Sequence, residues 1–319
     1  NINDEEWYKK AVKKKKKENP DIVHIQHEYG LYEHKKDANR GVIKLIKMLK
    51  QEGFPVVMTY HSVYEELDKK MSWFMSETLK VLDAGIVHEE YQKKALPENI
   101  TWNPKNIYVL PHGAKTDVNI NRKEAREIFG YDSKLIVGSA GLADKRKGFI
   151  DLIKQWPRVV KEVPNAILSL ELKPHFTKQT RKYIDRVLEE IMKNPASDKI
   201  EFVVKDYNVD EFYRRLKSFD ILILPYLSES QSGVLAHGFA AHTPAIVTDI
   251  EGMGAEIRNS KAGIGVKNRD NFYKAIIKLL KSPVMRKRFE KNAEKYVNKV
   301  IGWPIIAKKT FNIWEDISS

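Results

Sequence analysis

The chain has 319 residues, 42% of them hydrophobic, and carries a formal net charge of +13. This length allows two domains with separate cores, and no apolar run approaches the roughly 20 residues that span a bilayer. The absence of cysteine excludes disulfides and thiolate metal sites. No signal-peptide pattern opens the sequence, so we expect a cytoplasmic location.

The first predicted helix, residues 4 to 17, is rich in lysine. It carries Lys9, Lys10 and the run from Lys13 to Lys17. Such an excess favours polyanions, and the candidates are anionic lipid at the inner face of a membrane, a lipid-phosphate acceptor and nucleic acid. A solvated helix face is the alternative, since charge runs often only solubilise. Nucleic acid is not favoured, because no nucleic-acid-binding motif accompanies the run.

Strand and helix patterns alternate along the whole chain, which favours parallel sheets covered by helices. The first part predicts strands near 22 to 26, 56 to 60, 85 to 88 and 107 to 110, with further helices near 39 to 52, 71 to 82 and 90 to 96. The second part predicts strands near 135 to 139, 166 to 170, 200 to 204, 221 to 224, 245 to 248 and 263 to 265. Its helices are expected near 122 to 129, 148 to 162, 177 to 193, 209 to 217, 233 to 241, 270 to 280 and 283 to 299.

Two apolar strands of the first part end in histidine. Residues 21 to 30 read DIVHIQHEYG, and residues 56 to 62 read VVMTYHS. Ligands of open α/β sheets bind at the carboxyl ends of strands, so His61 is a candidate site residue. A buried structural histidine is the alternative for His61, and it is the interpretation that we favour for His24.

A strand followed by a basic loop opens the second part, where residues 136 to 149 read IVGSAGLADKRKGF. Lys147 follows this strand and precedes a glycine, which favours a site role over that of one more surface lysine. Further along, residues 221 to 256 predict a strand, a polar loop, a helix and a second strand. The backbone N–H groups of Ser232, Gly233 and Val234 open this helix, and an anion is expected there.

The spacing in this last segment resembles that of a known family. Glu229 lies eight residues before His237, and Pro244 lies seven after it. This resembles the E-x7-E segment of retaining nucleotide-sugar glycosyltransferases of the GT-B fold (family 4-like, group 1). In that family the first carboxylate binds donor-sugar hydroxyls, the loop amides bind the diphosphate, and the second carboxylate binds the ribose. His237 stands at the second position, where it can exchange one hydrogen bond with a ribose hydroxyl but cannot accept two.

Other landmarks follow in the order that the resemblance implies. The loop that ends in Lys147 and Gly148 is similar to the family's G-R-x-x-x-x-K-G, with Leu142 where an arginine is usual. The resemblance implies that Lys147 binds the donor diphosphate, and that Arg146 or Lys145 substitutes for the absent arginine. Residues 105 to 113 resemble the strand and P-x-G turn that lead out of the first domain. The segment from 302 to 317 resembles the family's terminal helix.

The same resemblance implies roles for residues of the first part and of one further loop. His61 would face the donor sugar, and His27 and Glu28 would lie on the acceptor side. The loop from 205 to 211 would border the nucleotide base, where Tyr207 either stacks or belongs to an ordinary surface turn.

The implied fold is α/β and GT-B-like, with two Rossmann-like domains whose parallel sheets face each other across a cleft. Residues 1 to 115 would form an acceptor-side domain, 116 to 300 a nucleotide-sugar-binding domain, and 301 to 319 a helix that crosses back. The usual opening strand and glycine-rich loop are absent from the sequence, which leaves a truncated chain and a compact variant as alternatives.

The implied activity is that of a retaining hexosyltransferase. It would move a sugar from a UDP- or GDP-linked donor to a glycan, lipid-linked or other acceptor, with His61, Lys147 and Glu229 as catalytic residues. No cofactor or metal is expected, because Asp-x-Asp does not occur in the chain and lysine with helix-start amides can neutralise a diphosphate instead. Leu142, His237 and the missing opening segment leave a catalytically silent binding or scaffold protein as an alternative. The basic surface leaves a glycosyltransferase that acts on or binds DNA as a further alternative.

Overall fold

The computed structural model describes residues 6–29, 38–100, 106–174 and 177–318. The chain divides into two compact units. Unit 1 is drawn from Asn1–His112 and Pro304–Ser319, and unit 2 from Gly113–Trp303. Each unit contains one parallel sheet, which confirms the predicted α/β class.

The sheet of unit 1 has four strands in the order β1-β2-β3-β4, all parallel. The strands are β1 (Val23–His27), β2 (Val56–Tyr60), β3 (Ala84–Val87) and β4 (Ile107–Val109). The helices within residues 6 to 100 include α1 (Trp7–Glu18), α2 (Ala38–Gln51), α3 (Lys69–Leu79) and α4 (Glu90–Asn99). Apolar residues of α2 recur at helical spacing, and Val42, Ile46 and Leu49 are fully buried against the sheet.

The sheet of unit 2 has six parallel strands in the order β10-β9-β8-β5-β6-β7. They are β5 (Leu135–Leu142), β6 (Ala166–Lys173), β7 (Ile200–Val204), β8 (Ile221–Leu224), β9 (Ala245–Thr248) and β10 (Gly263–Val266). The strand order reverses between β5 and β8. This is a topological switch point, the place where ligands of open α/β sheets bind beyond the carboxyl ends of the strands.

Helices cover both faces of this sheet, as expected for strands that are buried throughout. They include α5 (Arg122–Ile128), α6 (Phe149–Glu162), α7 (Lys178–Met192), α8 (Val209–Ser218), α9 (Gly233–Ala240), α10 (Glu251–Ser260), α11 (Phe272–Leu280) and α12 (Pro283–Tyr296). One core contains Trp156 of α6, and a second contains Phe219 and Phe239.

The observed strands begin within one residue of their predicted starts. Strands β5 and β6 run three residues further than predicted, because each gives the other pairing partners as far as Leu142 and Lys173. Helix α10 was not predicted, and its first turn contains two glycines, a residue that weakens a helical pattern. These glycines fit close neighbours, because a Cβ on Gly252 would lie 2.1 Å from the carbonyl oxygen of Ser230.

The last helix, α13 (Trp303–Ser318), confirms the predicted terminal helix. It follows a π-helical turn, Val297–Ile301. The backbone of Ala114 pairs with this junction, since its N–H donates to Ile301 (2.8 Å) and its carbonyl accepts from Trp303 (2.9 Å). Further along α13, Ile313 is buried in a small core with Val57 and Ala84 of unit 1.

Candidate active site

A pocket of about 390 Å³ opens at the switch point of unit 2, and we call it the switch-point pocket. Residues from the ends of β5, β6 and β8 and from the start of α9 line it. They are Gly141, Leu142, Lys147, Glu171, Lys173, Lys205, Asp206, Tyr207, Val209, Phe212, Tyr213, Tyr226, Glu229, Gln231, Ser232, Gly233, Val234 and His237. Seven of the predicted donor-side residues therefore line one cavity: Lys147, Tyr207, Glu229, Ser232, Gly233, Val234 and His237.

Lys147 is the cation in this pocket that the sequence pattern predicted. It ends a short 3₁₀ turn that follows β5, and the carboxylate of Asp144 caps the turn by accepting from the N–H of Arg146 (2.8 Å). The Lys147 ammonium donates a hydrogen bond to Glu229 and lies 3.9 Å from the centroid of the Tyr226 ring. The side chains of the pair are only 11% and 19% exposed, so solvent screens their attraction less than at a free surface.

Gly148 fixes the course of the chain next to Lys147. Its φ is +69°, and a Cβ at this position would lie 2.0 Å from the carbonyl oxygen of Pro225. A side chain here would therefore be strained by both the backbone conformation and the contact. This close approach holds the loop that follows β5 against the end of β8, and so brings Lys147 to the loop that carries Glu229.

The start of α9 supplies amide donors to the same pocket. Ser232 caps the helix, because its hydroxyl accepts from the N–H of Leu235 (3.3 Å). The first amides of a helix have no carbonyl partner within it, and the helix dipole adds partial positive charge. Gly233 and Val234 are in this position, and both residues line the pocket, so their N–H groups can bind an anion together with Lys147.

Tyr226 lies beneath the Lys147–Glu229 pair and was not predicted as a site residue. It is fully buried, and its hydroxyl donates to the carbonyl of Ala140 (3.2 Å). Burial and the nearby Glu229 carboxylate raise the pKa of the Tyr226 phenol above its ordinary value. The phenol therefore stays neutral, and its ring face provides a cation–π contact to Lys147.

His237 lies on the first turns of α9, where it faces aromatic neighbours. Its Nδ1 is 2.7 Å from the hydroxyl of Tyr213, and its ring packs edge to face against Phe212 and Tyr213. The ring lines the pocket. His237 therefore both packs against aromatic side chains and reaches the cavity, and its contact with a ribose stays a prediction.

Tyr207 belongs to a buried polar network that the sequence did not reveal. Its hydroxyl donates to Glu171 (2.6 Å), whose other oxygen accepts from Arg215 (2.7 Å) and from Ser169 (2.6 Å). Burial and the Glu171 carboxylate raise the pKa of the Tyr207 phenol. The one sequence signal was Ser169 and Glu171 at alternate positions of a buried strand, a pattern that requires a polar partner on that face. The network orients Tyr207 at the pocket wall.

Two other residues near the predicted diphosphate site, Leu142 and Arg146, supply no positive charge to the pocket. Leu142 lines the pocket as an uncharged residue. The guanidinium of Arg146 is exposed and pairs with Asp144 (3.2 Å), and Arg146 is not among the residues that line the pocket. Among the consecutive cations of this turn, Lys147 is thus the one whose side chain reaches the cavity.

In unit 1, His61 follows β2 at the carboxyl end of the sheet, as the sequence predicted. Its Nε2 lies 2.8 Å from Gln26 Oε1, and its Nδ1 lies 3.3 Å from His88 Nε2. His88 in turn contacts the carbonyl of Leu110 through Nδ1 (2.8 Å). Burial lowers the pKa of His61 and lowers that of His88 to about 3. These shifts favour the neutral form of both rings at neutral pH, and the two rings pack with centroids 5.0 Å apart. The predicted contact between His61 and a donor sugar stays a prediction.

His27 and Glu28, the expected acceptor-side pair, lie in different surroundings. His27 is 1% exposed and stacks on Phe74 with ring centroids 4.4 Å apart. Burial lowers its pKa to about 4. Glu28 is half-buried and accepts from the Ser62 hydroxyl (2.6 Å). The burial of His27 favours a packing role, so the acceptor-side hypothesis now rests on Glu28.

The lysines of α1 are mostly exposed, and several pair with acidic neighbours. Lys15 bonds Glu18 (2.6 Å), and Lys16 bonds Glu52 (2.7 Å). No helix in the described ranges combines the length and apolar character that crossing a bilayer requires. Within those ranges, no group of three or more His, Asp or Glu side chains is arranged to hold a metal ion.

Comparison with known proteins assigns this chain to a family. The family model described as glycosyl transferases group 1 matches residues 121–296, more than half of the chain. The chain belongs to this family. The matched span contains every residue named above in the switch-point pocket.

Among relatives of this group 1 chain, an uncharacterized glycosyltransferase of Methanocaldococcus jannaschii is 26% identical over 205 residues. The match covers 62% of this chain and 50% of that protein. The chain spans about half the length of the curated relatives it matches.

Two solved structures share the fold. A glycosyltransferase from Rickettsia africae has a TM-score of 0.77 at 19% identity and covers 97% of this chain and 80% of its own. The HepE protein of Anabaena, solved in complex with UDP, has a TM-score of 0.79 at 11% identity and covers 97% and 82%. These structures confirm the predicted GT-B-like α/β fold.

Proposed function

We propose that this chain is a retaining glycosyltransferase that takes a hexose from a nucleoside-diphosphate sugar. Membership of the glycosyl transferases group 1 family supports transfer as the reaction class. Retention is proposed from the E-x7 spacing of Glu229 and the position of His237.

One observation carries the proposal. A buried ammonium, two helix-start amides and a carboxylate line the same cavity, as Lys147, Gly233, Val234 and Glu229. The ammonium and amides suit a diphosphate, and the carboxylate suits sugar hydroxyls. An ordinary surface ion pair would not be accompanied by helix-start amides in a concave site.

In the proposed reaction, the bond between the anomeric carbon and the diphosphate oxygen breaks, and an acceptor hydroxyl oxygen bonds to that carbon. The acceptor's proton leaves with the nucleoside diphosphate. Negative charge gathers on the departing oxygen, so Lys147 and the amides stabilise the transition state more than the bound substrate. Glu229 orients the sugar through its hydroxyls.

The donor is proposed to be UDP- or GDP-linked. The UDP in the HepE structure supports uridine. Tyr207 and Phe212, whose ring centroids are 6.3 Å apart on the pocket wall, provide apolar surface for the base. His237 would contact the ribose. We propose a glycan or lipid-linked acceptor and a cytoplasmic location. The lysine-rich α1 supports peripheral contact with an anionic membrane.

Metal independence is also proposed, because Lys147 and the α9 amides supply the positive charge that a divalent ion would otherwise provide. The rival function is nucleotide-sugar binding without transfer. Leu142, uncharged where the family pattern has arginine, favours this rival, since one cation fewer faces the leaving group.

Release of free nucleotide from a panel of UDP- and GDP-sugars tests the proposal, with glycan and lipid-linked acceptors added in turn. We expect release by the parent and a loss of about 10²-fold in Lys147→Ala, the cost typical of removing one charge-stabilising group. Lys145→Ala is the matched control, because Lys145 is an exposed neighbour that does not line the pocket. Binding of UDP without release from any donor would support the silent rival, and equal effects of both variants would overturn the role of Lys147.

A further inference from the structure

A second pocket in unit 2 lies away from the proposed donor site. It has a volume of about 560 Å³, and we call it the β10 pocket. Strand β10, the turn after it and helices α11 and α12 line it. The residues are Ile264, Gly265, Val266, Lys267, Asn268, Asn271, Lys274, Ala275, Lys278, Met285, Arg288 and Phe289. It shares no lining residue with the switch-point pocket.

The lining of the β10 pocket combines cations with an apolar floor. Four exposed cations belong to it: Lys267, Lys274, Lys278 and Arg288. The buried Val266 and Phe289 and the half-buried Met285 form the apolar part. No Asp or Glu is among the described residues that line it. An unbalanced group of positive charges around an apolar patch suits an anion that carries an apolar portion.

Three cations near these four are engaged by a carboxylate or a backbone carbonyl. Lys281, at the end of α11, bonds Glu162 (2.6 Å), and Arg286 of α12 donates to the carbonyl of Leu279 (2.9 Å). Arg269, in the turn between β10 and α11, bonds Asp151. None of the four lining cations has an ion pair with any carboxylate in the described part of the chain.

The spacing of the cations causes electrostatic repulsion, which a bound anion would relieve. Lys274 and Lys278 are four residues apart on α11, so their ammonium groups lie on one helix face and repel each other. Asp249, next to Gly265, bonds Arg258 (2.5 Å) and so does not neutralise these cations. A multiply charged anion would satisfy the cations through charge-assisted hydrogen bonds.

We propose that the β10 pocket is a second anion site, which binds a phosphate-bearing ligand separately from the donor. Lys274, Lys278, Lys267 and Arg288 bind the phosphate groups. Met285 and Phe289 contact the rest of the ligand. A soluble phosphate ester and the headgroup of an anionic lipid present this same chemistry.

Calorimetric titration with inorganic pyrophosphate tests the site. Pyrophosphate also fits the proposed donor site, so the titration uses Lys147→Ala protein as the background. In that background we expect a binding component that survives, and that weakens by about tenfold or more when Lys274→Gln and Lys278→Gln are added. The matched control is Lys287→Gln with Lys291→Gln, which removes the same charge from exposed positions of α12 outside the pocket. The control is expected to bind within twofold of the background.

Thermal unfolding shows whether the variants remain folded, and relief of the Lys274–Lys278 repulsion predicts an unchanged or higher midpoint. Binding to phosphatidylcholine vesicles only when phosphatidic acid is included, and dependent on Lys274 and Lys278, would assign the site to a lipid headgroup. Binding of pyrophosphate without such vesicle binding would assign it to a soluble ester. Equal losses in both double variants, for pyrophosphate or for a single-stranded oligonucleotide, would show general surface charge and overturn the proposal.

Discussion

Lys147 and Glu229 are 82 positions apart in the chain, yet they form an ion pair inside the switch-point pocket. Each partner is a group that a nucleotide sugar would need, the ammonium for the diphosphate and the carboxylate for the sugar. Binding of the proposed donor would therefore open this contact or share it. The ion pair holds the ammonium and the carboxylate in the pocket before a ligand binds. It also competes with the proposed donor for both groups.

This competition predicts opposite effects of Glu229→Gln on binding and on turnover. Loss of the carboxylate charge frees the Lys147 ammonium, so we expect UDP alone to bind as tightly as before or up to about tenfold more tightly. Turnover of the sugar donor should fall about 10²-fold, because the sugar loses its orienting carboxylate. Calorimetry with UDP and nucleotide-release rates measure the two effects. A parallel fall of both quantities would contradict the competition.

Gly148 predicts a loss of stability that a matched glycine isolates. Gly148 and Gly130 have φ values of +69° and +66°, but a Cβ on Gly130 would meet nothing within 4 Å, whereas one on Gly148 would meet Pro225. Gly130→Ala should cost about 1 kcal/mol of unfolding free energy from backbone strain alone. Gly148→Ala should cost roughly 3 kcal/mol or more and weaken UDP binding by displacing Lys147. Denaturant unfolding measures both losses of unfolding free energy. Equal losses in the two variants would show that the contact with Pro225 is not the cause.

The Glu171–Arg215 pair should be far more sensitive than an exposed pair of similar type. Its side chains are 1% and 4% exposed. Glu171→Gln leaves the guanidinium with only the more distant Glu201 (3.4 Å) as a charged partner, and we expect a loss of about 3 kcal/mol. The control is Glu211→Gln, which breaks an exposed bond to Lys205 and should cost less than about 1 kcal/mol. Urea unfolding compares them. Similar losses would show that burial does not set the cost.

Acidification should destabilise the protein through its buried histidines. Burial lowers the pKa of His24 and His27 to about 4 and that of His88 to about 3. The unfolded chain binds protons at these rings below about pH 6.5, whereas the native state does not. Their contribution is fully present above that pH and is lost towards pH 4, at up to about 1.4 kcal/mol per pH unit for each ring.

Unfolding free energies measured between neutral pH and about pH 4.5 test this dependence before most carboxylates titrate. His88→Gln should flatten it by removing one ring. A pH dependence identical to that of the parent would show that His88 is not among the groups responsible.

Local sequence patterns predicted most of the strands and helices and part of the candidate site. They did not predict side-chain contacts between residues that are far apart in the chain. Lys147 and Glu229 could be placed together because each follows a strand, and adjacent parallel strands end at one edge of the sheet. Arg215 could not be placed beside Glu171, since 44 positions separate them and helix α8 alone gives no partner. The same limit applies to His27 and His61. Both end a strand in the sequence, but the side chain of His27 lies in the core and that of His61 does not.

Helix α10 shows a different limit. Helix propensity argues against a helix at Gly252 and Gly254, because glycine destabilises a helix. In the folded unit the missing side chains allow the backbone of Ser230 and the carboxylate of Asp249 to approach within 2.1 Å of where a Cβ would be. Glycine fits here because of these tertiary contacts, which cannot be inferred from the sequence before the fold is known.

Unit 1 is built from two separate stretches of chain, and Ile313 of α13 is part of its buried core. A ribosome therefore finishes every residue of unit 2 before it makes the helix that completes unit 1. Until then, the apolar face around Val57 and Ala84 stays without its cover. The larger core around Val42 and Leu49 needs no residue beyond Val109, so during vectorial synthesis only this smaller apolar face waits for its covering helix.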